Sequence, residues 1–210
     1  LEGWCVVNLS TTPYEFSDNA TSWSQSEPLW GTCNKFYLSE NGTTIHCPSA
    51  NNGETGQVNG ITYTKRSRTD IENLISSEDW GTLETTCTSG LTDLSHLFTD
   101  AIGFNSSVES WDVSAVTDIS FMFDGAVDFN QDLSFWDTSN ISNMNGLFHD
   151  ANSFNGDIST WNTSNLTNMS ETFSGAFSFN GDVSTWDTSH VTNFSYAFQD
   201  AINFDQDVGI

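Results

Sequence analysis

Residues 129–148 read FNQDLSFWDTSNISNMNGLF, and residues 154–173 read FNGDISTWNTSNLTNMSETF. The two stretches match at a spacing of 25 residues, and the same period runs from residue 91 onward without insertion or deletion. A unit of this size cannot bury its own aromatic side chains, so successive repeats must stack and share one core. The sequence therefore predicts a solenoid of about five repeats over residues 91–210.

The apolar columns of the repeat are expected to lie inside this stack. They are a first phenylalanine column of Phe98, Phe123, Phe148, Phe173 and Phe198, a second of Phe104, Phe129, Phe154, Phe179 and Phe204, an alanine column of Ala101, Ala126, Ala151, Ala176 and Ala201, and a tryptophan column of Trp111, Trp136, Trp161 and Trp186. Burial of a tryptophan of roughly 200 Å² at about 25 cal/mol/Å² contributes about 5 kcal/mol per coil before entropy. We therefore expect a core role for the rings, ahead of a sugar-binding ladder.

Each repeat also predicts a short helix followed by a short strand. Apolar residues at i, i+3, i+4 and i+7 form a helical stripe; the first is Leu94, Leu97, Phe98 and Ala101. A hydroxyl column before the stripe fits an N-cap, and an Asp/Gly column after it fits a left-handed stop. The hydroxyl column is Thr92, Thr117, Ser142, Thr167 and Thr192, and the stop column is Asp100, Gly125, Asp150, Gly175 and Asp200. Residues 129–136 then predict a strand and a turn.

Residues 47–90 predict a cap for the first coil. Asn59-Gly60 supplies the two positive-φ residues of a type I′ hairpin turn. The sequence TDIE at residues 69–72 fits a capping box that opens a helix running through Ile75.

The four cysteines all lie in the first 87 residues, without a CxxC spacing or a histidine cluster that would indicate a metal. Two disulfides are favoured over four reduced thiols in a cytosolic protein. Because Cys47 and Cys87 bracket the cap, we pair them and leave Cys5 with Cys33, although four cysteines allow three connectivities. Each disulfide would stabilise the folded state by roughly 3–4 kcal/mol in the chain-entropy model, because it closes a loop in the unfolded chain.

The quoted repeats resemble those of BspA-like leucine-rich-repeat surface proteins. The upstream stretch TIHCPSANNGETGQVNGITYTKRS at residues 44–67, leading into TTCTSGLTDLSHLF, is similar to the segment that often precedes such repeats. The resemblance covers residues 44–210 and implies a solenoid on cell surfaces or in secreted proteins, associated with adhesion and without catalysis. Residues 1–43 have no assigned counterpart.

The predicted fold class is an α/β repeat solenoid, leucine-rich-repeat-like, with a short helix and a short strand in each coil and a disulfide-linked N-terminal cap. Three regions are predicted. They are an N-terminal extension of unknown fold at 1–43, a disulfide-bracketed cap at 44–90 and the repeats at 91–210.

Charge excludes several classes of partner. Lysine and arginine number 4 against 28 acids, a formal net charge of -24, so phosphate backbones and anionic lipid surfaces would repel the chain. No apolar run approaches the roughly 18 residues of a spanning helix, and a start at Leu1 fits a processed product or a fragment. We therefore expect an extracellular protein, secreted or at the cell surface, without nucleic-acid binding or membrane insertion.

Aspartates recur at one position of the repeat, in a region without lysine or arginine. The column is Asp132, Asp157, Asp182 and Asp207. At a coil spacing of about 4.8 Å, neighbouring like charges repel by roughly 1–3 kcal/mol. The favoured explanation is that each carboxylate accepts amides of its own turn. The alternative is calcium bridging successive coils, although no EF-hand or glycine–aspartate motif is present; we expect no other cofactor.

Catalysis is not expected. No GxSxG, HExxH or phosphate-loop motif occurs, no coil breaks the repeat as a catalytic site would, and the histidines are scattered at His46, His96, His149 and His190. A carboxylate pair for glycoside hydrolysis stays open as an alternative. A remote third alternative is ice binding through a hydroxyl ladder, although we expect these hydroxyls to bond backbone groups in turns. That ladder would be Thr138, Thr163 and Thr188.

Nine N-x-S/T sequons occur, and a secreted protein from a eukaryote would carry N-linked glycans at several of them. They lie at Asn8, Asn19, Asn41, Asn105, Asn140, Asn162, Asn165, Asn168 and Asn193. Three of these are too close together for all to be occupied comfortably.

The favoured function is that of an extracellular structural or adhesive surface glycoprotein that assembles with copies of itself, head to tail, into a filament. The open last coil would expose Phe204, Val208 and Ile210, and a segment around Phe36 and Leu38 would cover that end in the next molecule. The alternative is a monomeric adhesin that binds a carbohydrate or a protein on cell surfaces through an outer face.

Overall fold

A computed structural model of the chain describes residues 34–206, together with the backbone of two short strands before them. The chain divides into two compact units, Leu1–Lys35 and Phe36–Ile210. The elements in chain order are β1 (Cys5–Val6), β2 (Leu29–Trp30), β3 (Tyr37–Leu38), β4 (Ile45–His46), β5 (Thr55–Val58), β6 (Ile61–Lys65), α1 (Arg68–Ser76), α2 (Trp80–Leu83) and β7 (Thr86–Cys87). Over the described residues, neither helix has the length and apolar character needed to span a membrane.

In the first unit the structure describes one parallel strand pair, β1 beside β2. Cys33 lies outside the described residues, and the predicted disulfide between Cys5 and Cys33 therefore does too. The sequons at Asn8 and Asn19 are likewise outside them.

A three-stranded sheet forms the centre of the N-terminal cap. β5 and β6 pair antiparallel through a two-residue turn in which Asn59 and Gly60 have φ angles of 51° and 82°. The predicted hairpin is confirmed, because both residues occupy the left-handed region that a type I′ turn requires. β7 joins β6 in parallel and carries Cys87, whose disulfide with Cys47 confirms the predicted pairing.

Helix α1 begins at Arg68, two residues earlier than predicted. Its N-cap is Ser67, whose hydroxyl accepts the Asp70 N–H at 3.2 Å while the Asp70 carboxylate accepts the Ser67 N–H at 2.9 Å. The predicted box of Thr69 and Glu72 is wrong because Asp70 already closes a box with Ser67. Glu72 instead pairs with Arg68 one turn earlier, at 2.9 Å.

The cap has a small core of its own. Phe36 is 3 % exposed there and belongs to one buried cluster with Ile45 and Tyr63. A side chain at Gly56 would collide with the Phe36 ring. Residues 36–43 therefore belong to the same compact unit as the cap, and not to a separate N-terminal extension as predicted.

The described repeats, residues 91–206, contain no helix or strand; they are built of turns that bond to the next coil. In the turn run of each coil, every second N–H donates to a carbonyl 24 residues later, as Leu94 does to Asp118 at 3.0 Å. The N–H groups between them bond three residues back within the coil, as Ala101 does to Phe98 at 3.0 Å. We call this pattern the intercoil ladder, and it joins each described coil to the next.

The predicted short helices are wrong, and the intercoil ladder is the reason. An α-helix directs each N–H to a carbonyl four residues back, whereas here every second N–H serves the next coil. The hydroxyl column does not cap: Thr117 donates its N–H and its hydroxyl to the Thr92 carbonyl, at 2.9 and 3.3 Å. The strand predicted at 129–136 is also absent, because its backbone groups bond to side chains and not to a neighbouring strand. The N–H of Asn130, for example, donates to Asn105 Oδ1 at 2.9 Å.

Left-handed residues shape each coil. The predicted stop column has φ angles between 51° and 71°, so its conformation is confirmed although no helix precedes it. A second left-handed column, which the sequence did not predict, lies four residues earlier in each coil. It consists of His96, Phe121, Gly146, Glu171 and Tyr196.

Aromatic columns fill the interior of the stack, as predicted. Rings of adjacent coils lie nearly parallel, with the centroids of Phe123 and Phe148 5.6 Å apart at an interplanar angle of 2°. Within one coil Phe148 stacks on Phe154 at 3.7 Å. The indole N–H groups of Trp136, Trp161 and Trp186 donate to carbonyls of the preceding coil, as Trp136 does to Val108 at 3.0 Å, and that of Trp111 donates to the Leu83 carbonyl of α2. The tryptophan column therefore packs into the stack without leaving an indole donor unpaired.

Phe148→Ala should lower the free energy of unfolding by about 3–5 kcal/mol, because the ring is fully buried and stacks on Phe123, Phe154 and Phe173. Urea denaturation measures the change. Phe177→Ala is the matched control: that ring is 43 % exposed, and its loss should cost less than about 1 kcal/mol. Equal losses in the two variants would overturn the assignment of inside and outside.

Candidate functional site on the turn face

One outward-facing part of the repeat varies widely in size, charge and polarity from coil to coil, while the phenylalanine, alanine and tryptophan columns of the core keep one residue type. It comprises two columns three residues apart in the turn run, which we call the variable face. The first column is His96, Phe121, Gly146, Glu171 and Tyr196, and the second is Thr99, Asp124, His149, Ser174 and Gln199. In the first column Gly146 is buried, but the side chains of the other four residues are half-buried or exposed, and that of Tyr196 is 66 % exposed.

The first column of the variable face holds large side chains in an unfavourable backbone conformation. The φ angles are 58° at His96, 53° at Phe121, 56° at Glu171 and 58° at Tyr196. A left-handed conformation costs a residue other than glycine roughly 1–2 kcal/mol, and Gly146, at 59°, shows that glycine fits this position. Side chains retained against such a cost indicate a role beyond holding the fold together.

The variable face offers both an aromatic surface and hydrogen-bonding groups. The rings of His96 and Phe121 stack with centroids 5.1 Å apart and an interplanar angle of 12°. Phe121 also covers Gly146, where a side chain would collide with the ring. His149 Nδ1 lies 2.8 Å from Asp124 Oδ1, and both side chains reach solvent. The face can therefore pack against an apolar surface of a ligand while it bonds polar groups beside it.

The aspartates considered for calcium are used in turns. Asp132, Asp157 and Asp182 each accept the N–H of the serine two residues later, at 2.8–2.9 Å. Bonds from the backbone and hydroxyl of Ser184 hold the pKa of Asp182 below its ordinary value. Asp207 lies outside the described residues. Among the residues that are described, no three His, Cys, Asp or Glu side chains come together as metal ligands. The favoured interpretation, an Asx turn, is confirmed for these three positions.

The threonines considered for ice binding are mostly inside the stack. Thr138 and Thr163 are buried, and their hydroxyls donate to carbonyls of the next coil, those of Asn162 and Asp187, at 3.1 Å each. Thr188 is exposed. This column therefore does not present a regular ladder of free hydroxyls, because the hydroxyls of Thr138 and Thr163 are hydrogen-bonded to carbonyls of the next coil.

Hydrogen bonding separates the described sequons into two groups. The amide nitrogen that would carry a glycan already donates to another group at Asn41, Asn140, Asn165 and Asn168. Over the described residues this nitrogen has no acceptor at Asn105, Asn162 and Asn193. Because a glycan on the first group would displace a hydrogen bond, the second group is better placed to accept one.

The residues predicted to mediate assembly have mixed positions. Phe36 is buried in the cap core and Leu38 packs against it, so neither is free to cover another molecule. Phe204 stacks on neighbouring phenylalanines at the end of the described stack. Val208 and Ile210 lie outside the described residues.

Asp112 fastens the cap to the first coil. Asp112 is buried, and its carboxylate accepts hydrogen bonds from the Ser114 hydroxyl, at 2.6 Å, and from the Ser89 hydroxyl. His46 Nδ1 lies 2.8 Å from the same carboxylate. Burial raises the pKa of Asp112, but the hydrogen bonds from Ser114, Ser89 and His46 outweigh it and hold the pKa below its ordinary value of 3.8. The charged form is therefore part of the native fold.

An asparagine column has no counterpart in the sequence-based prediction. Asn105, Asn130 and Asn155 each accept, on Oδ1, the backbone N–H of the residue 25 positions later, at 2.8–2.9 Å. The signal that could have revealed it is the asparagine that follows the second phenylalanine in the first four repeats; in the fifth repeat the residue is Asp205.

One family model matches this chain, and its description is "Mycoplasma protein of unknown function, DUF285". The matches cover residues 69–176 and 131–210, which overlap and together include more than half of the chain. They take in α1, α2 and all the described coils. Neither curated proteins nor solved structures yield a match.

Tyr196→Gly should leave the free energy of unfolding unchanged or raise it by up to about 1 kcal/mol, because the exposed ring adds little packing and glycine relieves the left-handed backbone. Thermal unfolding measures the change. The control is Gly175→Ala, also at a left-handed residue, where the added carbon would collide with Asp150; it should destabilise clearly. A marked loss of stability in Tyr196→Gly would show that the ring serves the fold.

Asp112→Asn should lower the free energy of unfolding at pH 7 by about 2–3 kcal/mol, because a buried charged acceptor is lost. The folded pKa of Asp112 lies below 3.8, so its contribution is complete above that pH and is lost as the pH falls through the folded pKa. The difference in free energy of unfolding between wild type and variant should therefore disappear in strong acid. Denaturation at several pH values measures this difference. Asp137→Asn, one coil later and exposed, is the control and should change little. A gap independent of pH would contradict the assignment.

Proposed function

Since this chain belongs to the DUF285 family, whose description names no function, we propose a function from the structure of the chain itself. The protein is a non-enzymatic solenoid that acts outside the cell as an adhesive surface protein, of the kind that the BspA-like resemblance implies. The stacked coils serve as a scaffold, and the variable face carries the binding.

The observation that carries this proposal is the contrast between the variable face and the rest of the repeat. Most polar groups of the coils are used for the fold, in the intercoil ladder, the asparagine column and the aspartate turns. Only on the variable face does the repeat keep different large side chains at a backbone angle that favours glycine. Varied side chains on a regular scaffold are typical of recognition surfaces in repeat proteins.

A neutral carbohydrate is the ligand class that suits this surface. The stacked rings of His96 and Phe121 can cover the apolar side of a sugar, and the Asp124–His149 pair can bond its hydroxyls. The net charge of -24 disfavours acidic polysaccharides and nucleic acids, which the protein would repel.

An extracellular location is supported by the cap. The disulfide between Cys47 and Cys87 lies in the core of the cap, with both cysteines fully buried. Disulfides of this structural kind persist in oxidising compartments. Sequons with free amide nitrogens, such as Asn162, are compatible with glycosylation if the source is eukaryotic. Labelling of the protein on intact, unpermeabilised cells tests this location.

A monomeric adhesin is favoured over the filament expected from the sequence. In the expected filament a segment around Phe36 and Leu38 would cover the last coil of the next molecule, and both side chains pack within their own cap.

The full chain should bind neutral glycans on a glycan array, and the double variant His96→Gly/Phe121→Gly should lose about tenfold or more of this binding. Glycine suits the backbone at both positions, as Gly146 shows. The matched control is Ile102→Ser/Phe177→Ser, which removes exposed apolar side chains from a different column and should bind normally. Normal binding by the first variant, or a preference for acidic glycans, would contradict the proposal.

A further inference from the structure

One carboxylate of the variable face has no partner in the protein. Glu171 is half-buried, and within the described residues its side chain makes no hydrogen bond or ion pair. Most aspartates of the described coils are bonded: Asp132 accepts the N–H of Ser134 at 2.8 Å, and Asp124 Oδ1 lies 2.8 Å from His149 Nδ1. The fold therefore makes no use of the charge on Glu171.

The backbone at Glu171 does not favour a long side chain. Its φ angle is 56°, in the left-handed region that suits glycine. The preceding coil has Gly146 at the same position with a φ angle of 59°, so glycine fits the fold there. An acidic side chain that is kept at such a position without a partner in the protein indicates a role in binding.

Gly146 separates Glu171 from an aromatic ring. Phe121 precedes Gly146 by one coil and Glu171 follows it by one coil, and ladder bonds of 2.8 Å join the three coils, from Phe121 to Asn145 and from Gly146 to Ser170. The Phe121 ring covers Gly146, where an added carbon would lie 2.3 Å from a ring atom. Because Gly146 places no side chain between them, a sugar held against the ring brings its substituents to the carboxylate.

The coils contain no lysine or arginine that could neutralise Glu171. The four lysines and arginines of the chain all lie at residues 35–68. The net charge of -24 adds a field that attracts positive ligands. A hydroxyl would bond the carboxylate and leave its charge uncompensated, whereas an ammonium group compensates the charge and forms the stronger hydrogen bond.

We propose that the variable face binds a glycan with free amino groups, and that the ammonium of one sugar pairs with Glu171 while the glycan packs against Phe121. The proposal rests on the proposed function, in which the rings of this face hold a sugar, and it narrows the ligand class to amino sugars. The Asp124–His149 pair remains available for the sugar hydroxyls.

The probes are oligomers of glucosamine and of N-acetylglucosamine of equal length, which differ only in the acetyl group that removes the charge from the nitrogen. In mildly acidic buffer, where the amine is protonated, the full chain should bind the glucosamine oligomer about fivefold more tightly. Calorimetric titration measures both affinities. Glu171→Gln keeps the size of the side chain and removes its charge, so this variant should bind the two oligomers alike.

The matched control is Glu78→Gln in the cap, which removes the same charge from an exposed glutamate with a φ angle of 55°. This variant should keep the fivefold preference, because the pairing is local and not an effect of net charge. Equal affinities of wild type for the two oligomers, or the same preference in Glu171→Gln as in Glu78→Gln, would overturn the proposal.

A lysine peptide of the same charge distinguishes the source of the amine. It should displace the glucosamine oligomer poorly, because it has no sugar ring to pack against Phe121. Displacement as effective as that by the free glucosamine oligomer would overturn the assignment to a sugar.

The array of neutral glycans tests the proposed function separately. Neutral glycans bound without a preference for the amine would leave the proposed function standing and remove this inference. Binding of the glucosamine oligomer alone, lost in Glu171→Gln, would support this inference and remove the neutral ligand.

Discussion

The hydrogen bonds between coils are the interaction on which the rest of this structure depends. Every second N–H of the turn run reaches a carbonyl 24 residues later, with the same direction from the first coil to the last. A single inserted residue would move each following donor away from its acceptor and each core side chain away from its column. The strict 25-residue period is thus a requirement of the ladder, and it explains why no repeat is longer or shorter.

Stacking identical coils places identical side chains on top of one another, with opposite consequences for rings and charges. Rings benefit, since adjacent phenylalanines and tryptophans of successive coils lie nearly parallel and exclude water. Carboxylates would repel, and no lysine or arginine follows Arg68 to pair with them. Each described aspartate of the column, at 132, 157 and 182, accepts an amide of its own turn instead, which stabilises the charge within the coil. Amides and hydroxyls then provide the contacts between coils that ion pairs would otherwise make.

A one-directional ladder also makes the two ends of the stack chemically different. The first coil presents carbonyl oxygens, and the last described coil presents N–H groups. The cap places Arg68, the last cation in the sequence, on the carbonyl side, where its donors are needed. The variable face along the side can differ from coil to coil because the ladder uses only its backbone.

The sequence by itself determined the period, the aromatic core, the hairpin turn and the pairing of Cys47 with Cys87. Each of these depends on residue type and spacing alone, such as Asn59-Gly60 for a turn that needs two positive φ angles. Only the tertiary structure decided what the segment from residue 94 to residue 101 becomes. Its apolar spacing fits a helix, but whether an N–H bonds within its own segment or to the next coil depends on the neighbouring coil, which local sequence does not describe. For the same reason the left-handed column of the variable face was not foreseen, because the large side chains of His96, Phe121 and Tyr196 give no sign of a backbone that favours glycine.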